Sequence, residues 1–177
     1  VNIIVNDTTG IVTATVTTGT AASLNSALAN ASSTDALTLT LTDTALASAD
    51  DLIALDGKTS VTVNAGSVTS VTDTYADINT LYGLSGISGL GNEAVTISDE
   101  TSAVNINGIL SKTSGVVTAT ITSGAVKATL DAITNVETTD LITFTTTDTS
   151  ADASDIVALN EKVDNFTVTS INTITED

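Results

Sequence analysis

Val12, Ala14 and Val16 alternate with Thr13, Thr15 and Thr17, and Leu37, Leu39 and Leu41 alternate with Thr38, Thr40 and Thr42. A period of two puts each set on one face of a β-strand, with apolar side chains toward a core and a threonine ladder away from it. Similar runs rich in Val, Ile and Thr begin near residues 11, 36, 60, 95, 116, 141 and 165. Their spacing of roughly 25 residues lies in the range of solenoid repeats. Between the runs the apolar positions fall three and four apart: Leu24 and Leu28; Ala49, Leu52 and Ile53; Ile78, Leu81 and Tyr82; Ile106, Ile109 and Leu110; Leu130 and Ile133; Ala153, Ile156 and Val157. Such spacing predicts short helices with one buried face.

Strand then short helix, repeated without hairpin signals, predicts parallel strands joined by right-handed crossovers. The expected fold is a β-rich repeat solenoid of stacked parallel strands with one short helix per coil. Proline is absent, as suits strands whose every N–H is wanted by a neighbour. The glycine-rich stretch at residues 82–94 breaks the rhythm and reads as a loop or irregular coil edge.

The chain also repeats on a longer scale. TGIVTATVTTG at residues 9–19 returns as SGVVTATITSG at 114–124, and Leu37 returns as Ile142, both displaced by 105 residues (115 − 10 and 142 − 37). Residues 1–113 are therefore expected to form a four-coil super-repeat with an N-terminal edge. Residues 114–177 would be part of a second, in one continuous solenoid. Neither end carries an evident polar cap, so open strand edges are expected, with adjacent repeats or like subunits docking end to end. Met is missing even at position 1, which reads as a fragment, a processed product or a window onto a longer chain.

Composition narrows the function classes. Four basic against 21 acidic residues give a net charge of −17, which repels phosphate backbones and anionic headgroups, so nucleic acid is not expected as a partner. No apolar run approaches the length of a membrane span and no basic leader precedes one, so neither direct membrane insertion nor a signal peptide is expected. Absent His and Cys remove Ser-His-Asp catalysis, zinc and thiolate sites, and disulfides. Asp50-Asp51 is a pair of carboxylates in a chain full of them, and residues 82–94 carry no phosphate-loop pattern. No enzyme activity is expected.

Carboxylates are the remaining candidate chemistry. A polar residue followed by Asp recurs after the strands, at Asn6-Asp7, Thr42-Asp43, Thr72-Asp73, Ser98-Asp99 and Thr147-Asp148. The principal reading is capping of the helix that follows. The functional alternative is calcium, held by Asp148, Asp152 and Asp155 and, in the earlier copy, by Asp43, Asp50 and Asp51, with backbone carbonyls completing the six to eight oxygens a hard cation takes. Neither EF-hand spacing nor the calcium-binding nonapeptide repeat is present. The threonine ladders offer a second surface, for glycans or ice, although Val61-Thr62-Val63-Asn64 and Val95-Thr96-Ile97-Ser98 interrupt the array.

SADDLIALDGKTSVTVNA, ADINTLYGLSGISGLGNEAVTISDET and SGVVTATITSGAV resemble the Ala/Thr-rich repeats of giant secreted or cell-surface proteins of marine picocyanobacteria. The resemblance is to a repeat style that runs across essentially the whole chain. It implies a stalk-like or adhesin-like module of a motility or surface protein, located outside the cell or on its surface. It brings no catalytic residues with it.

Overall fold

The computed structural model describes residues 1–176. The fold is α/β, built from parallel strands and short helices, in two compact units, Val1–Glu93 and Ala94–Asp177.

The first unit runs α1 (Asn2–Asp7), β1 (Thr13–Thr15), α2 (Ala21–Ala27), β2 (Ala36–Thr38), β3 (Leu46–Ser48), α3 (Ala49–Asp56), β4 (Val63–Asn64), β5 (Ser70–Asp73), α4 (Tyr75–Leu81) and β6 (Ile87–Ser88). β1 pairs with β2, β3 with β5 and β4 with β6, all parallel. The registers set Thr13 beside Ala36, Leu46 beside Ser70 and Val63 beside Ile87, so paired strands lie 23 or 24 residues apart along the chain (36 − 13, 70 − 46, 87 − 63). Leu37, Leu39 and Leu41 point inward and are buried, joined by Leu24, Leu28, Leu52, Leu55, Val71 and Ile78.

The second unit runs β7 (Ala94–Thr101), α5 (Ala103–Leu110), β8 (Val117–Gly124), α6 (Val126–Ala132), β9 (Leu141–Thr146), β10 (Ser150–Asp152), α7 (Ala153–Asn160), β11 (Asn165–Thr167) and β12 (Thr173–Thr175). Here β7, β8, β9 and β11 lie side by side in that order, all parallel, and β10 pairs with β12. Val117, Ala119 and Ile121 of β8 and Ile142 and Phe144 of β9 fill the core, and Phe144 stacks on Phe166 with ring centroids 5.7 Å apart.

The repeat seen in the sequence is a repeat of local structure. α2 and α6 span the same positions at the displacement of 105 (126 − 21, 132 − 27), and α3 and α7 match at 104 after a one-residue deletion between Asp148 and Ser150. Helix starts follow one recipe: Thr20, Ser48, Thr74 and Ser102 each occupy the N-cap and accept from the backbone N–H three residues on, as short side-chain oxygens do at orphan helix amides. Asp152 does the same from Ser154 N.

The structure departs from the sequence pattern in four places. α1 forms over the apolar run at residues 2–7 and buries none of its side chains. β3, β5, β10 and β12 are strands of three or four residues, too short for a period of two to register. In α7 the buried side chain is Leu159, while Val157 is exposed; in α6 it is Val126 and Thr129 that turn inward, with Leu130 only half-buried. The predicted loop at residues 82–94 contains β6. Gly89, at φ +92°, would place a Cβ 2.6 Å from Gly66 N, so glycine is required where those two backbones meet.

Candidate functional site

Three of the recurrent Asp residues reach backward along the chain. Asp43 Oδ2 accepts from Ala21 N at 2.9 Å, Asp148 Oδ2 from Val126 N at 2.7 Å, and Asp73 Oδ2 from Asp50 N at 3.3 Å. Each carboxylate thus satisfies an orphan amide at the start of α2, α6 or α3, a helix 22 or 23 residues earlier in the chain. The sequence pattern pointed to the helix that follows; the structure corrects this. Parallel pairing of strands sets each strand end beside the preceding strand end, and therefore beside the helix start that follows it.

A second pair of carboxylates does the equivalent job at strand starts. Asp35 accepts from Val12 N at 2.9 Å and Ser32 N at 3.0 Å; Asp140 accepts from Val117 N and Glu137 N, both at 2.8 Å. Both side chains are buried. Lys58 and Lys162 close helix ends in the same matched way, donating from Nζ to Leu28 O at 3.1 Å and to Ile133 O at 2.7 Å. A cation there meets the negative end of α2 or α6. Neither lysine stands out in the sequence, because its acceptor lies a whole coil earlier.

Among the described residues, the carboxylates that converge as cation ligands would are Asp50, Asp73 and Asp77, with one oxygen from each lying within 4.8 Å of the other two. Oxygens each about 2.4 Å from one Ca²⁺ are at most about 4.8 Å apart, so the spacing suits that ion. Asp50 lies in the first turn of α3, Asp73 ends β5 and Asp77 lies in the first turn of α4. Ser48 Oγ donates to Asp73 Oδ2 at 2.9 Å, Thr74 N donates to Asp73 Oδ1 at 3.1 Å, and Thr74 Oγ1 donates to Asp77. These bonds fix two of the three carboxylates and leave the exposed Asp50 to turn toward them.

Of the calcium ligands expected from sequence, only Asp50 belongs to this group. Asp43 and Asp148 are committed to helix amides, Asp152 caps α7, and Asp155 lies in the first turn of α7 with Lys127 close enough to feel its charge. Asp148, Asp152 and Asp155 do not converge on one point. Asp73 and Asp77 do not stand out beside Asp50 in the sequence because they lie 23 and 27 residues after it, and parallel pairing of β3 with β5 brings them together.

The crowding shows in proton affinities. The charges of Asp77 and Asp73, then desolvation and Asp51, raise the Asp50 pKa above its ordinary value of 3.8. Bonds from Val12 N and Ser32 N hold Asp35 below 3.8. A carboxyl raised in the folded state costs stability while charged and relieves that cost as pH falls through its folded pKa; a lowered one contributes stability that is lost as pH falls below its unfolded value. At low salt, Tm followed by circular dichroism is expected to rise on mild acidification toward pH 3.8 and to fall below it. A Tm that declines steadily from neutrality would contradict this assignment.

No protein-family model matches the chain, and no curated protein or solved structure is significantly similar to it.

Proposed function

We propose that this chain is a structural and adhesive repeat module of an extracellular or cell-surface stalk or filament, built as a solenoid of stacked coils. The observation that carries the reading is recurrence. The same bonds to backbone groups from Asp35 and Asp140, from Asp43 and Asp148, and from Lys58 and Lys162 reappear one super-repeat apart, always linking one coil to its neighbour. Side chains devoted to joining coil to coil favour a protein whose product is length, since each added copy is stabilised by the one before it. The net charge of −17 keeps such an array soluble and apart from its neighbours.

Tandem chains of one, two and three copies of the 105-residue super-repeat test this by small-angle scattering. Strands stack about 4.8 Å apart, so each four-coil super-repeat is expected to add roughly 19 Å of length at constant cross-section. A radius that grows as a compact particle would overturn the solenoid reading.

The grouping of Asp50, Asp73 and Asp77 favours a second reading, a module that binds calcium and is stiffened by it. Wild-type Tm is then expected to rise with calcium, by the equivalent of about 2.7 kcal/mol at a hundredfold excess over Kd. Asp50→Asn is expected to raise Tm in chelator, by removing like-charge repulsion, and to abolish the calcium increment. Equal calcium effects on wild type and variant would place the ion elsewhere.

A further inference from the structure

We infer that the free edge of β1 is a docking edge for a parallel strand and helix of the β7–α5 type, that is, for a further unit of this chain's own repeat. The inference rests on the stacked-coil reading and specifies which surface accepts the next coil and what that coil must look like.

The chain contains its own template for the interface. β8 is the counterpart of β1 at the displacement of 105, and α5 continues through the counterparts of α1, since Asn2 Oδ1 accepts from Asn30 N at 2.8 Å just as Asn107 Oδ1 accepts from Asn135 N at 2.8 Å. β8 is paired on both sides, with β9 and with β7, whereas β1 pairs with β2 alone among the described residues. The bonds Ala36 N to Val12 O and Val16 N to Thr38 O show that the even-numbered residues of β1 and its flanks face β2. By the period of two, the backbone N–H and C=O groups of Thr13 and Thr15 face the other way. Their counterparts Thr118 and Thr120 face β7 and are in register with Thr96 and Glu100. Ile11 O corresponds to Val116 O, which accepts from Val95 N at 2.9 Å.

Side chains along the same edge lack cover in the same way. Ile4 is 60% exposed and its counterpart Ile109 1%. Val12, Ala14 and Val16 are half-buried, whereas Val117, Ala119 and Ile121 are buried. A groove of about 410 Å³ runs along this edge, lined by Val1, Thr15, Val16, Leu24, Ala27 and Leu28 among others. An occupant must present an extended strand with β-branched residues at alternate inward positions, as Val95 and Ile97 do, followed by a helix with inward Ala and Ile, as Ala103 and Ile106 provide. A strand of this kind gains main-chain bonds and apolar cover together, the mode of recognition by strand addition.

The test duplicates residues 94–106 ahead of Asn2, in place of Val1, within the full chain; a control carries Val95→Asp and Ile97→Asp in the added copy only. Native-state hydrogen exchange reads the amides of Thr13 and Thr15. In the unmodified chain they are expected to exchange much faster than those of Thr118 and Thr120. The added coil is expected to slow them about tenfold or more and to raise Tm, and the control to do neither. Unchanged exchange at Thr13 and Thr15 in a folded duplicated chain would overturn the inference. So would protection in the unmodified chain that grows with protein concentration, since a second whole copy would then be the occupant. Scattering lengths of the tandem chains report separately on the stacked-coil reading.

Discussion

Phe144→Ala is expected to lower the stability of the chain by about 4 kcal/mol, the range of a large aromatic removed from a closed core. Phe144 is fully buried in β9 and stacked on Phe166, and the chain has only two phenylalanines. Apart from the half-buried Phe166, the core is assembled from Val, Ile, Leu and Ala, and these leave no other large side chain to collapse into the space. Its counterpart in the first copy is Leu39, also buried. Phe144→Leu therefore restores what the other copy tolerates, and about 1 kcal/mol is the expected loss. Urea unfolding of both variants measures the difference. Equal losses would mean that the two copies do not share one packing plan.

Asp140→Ala is expected to cost about 3 kcal/mol for a different reason, the stranding of a buried donor. The carboxylate accepts from Val117 N and Glu137 N with separate oxygens, and Val117 is fully buried, so removal leaves an amide that water cannot reach. Asp140→Asn is expected to recover little, because its NH₂ would face one of those two donors. Asp35→Ala, with the same bonds to Val12 N and Ser32 N, is expected to cost less, since Asp35 borders an open cavity of about 170 Å³ where the space beside Asp140 is about 10 Å³, and water can replace the lost acceptor. Should urea unfolding show the two alanine variants to cost the same, burial of the amide would not be the governing factor.

Asp50 is replaced by Ser154 at the matching place in the second copy, so the carboxylate group of Asp50, Asp73 and Asp77 is not a feature of every repeat. A cation held with Asp50 would therefore act at the first copy and not at the second.

Much of this could be read from the residues. Alternation at Leu37, Leu39 and Leu41 determined which face of β2 and its continuation is buried, the spacing of Leu52 and Ile78 with their neighbours determined where α3 and α4 form, and the displacement of 105 determined that two parts of the chain share one plan. These are local or self-similar signals, and the period of a strand or helix is enough to express them. Tertiary structure alone decided the rest. Asp43, Asp73 and Asp148 turn to a helix start 22 or 23 residues earlier, and Lys58 and Lys162 to a helix end 30 and 29 residues earlier. Asp50, Asp73 and Asp77 come together only because β3 and β5 pair in register. The physical reason is common to all of them. A side chain's partner across parallel strands is fixed by pairing register, and register depends on how whole coils bury their apolar faces against one another, a quantity that no short window of sequence contains.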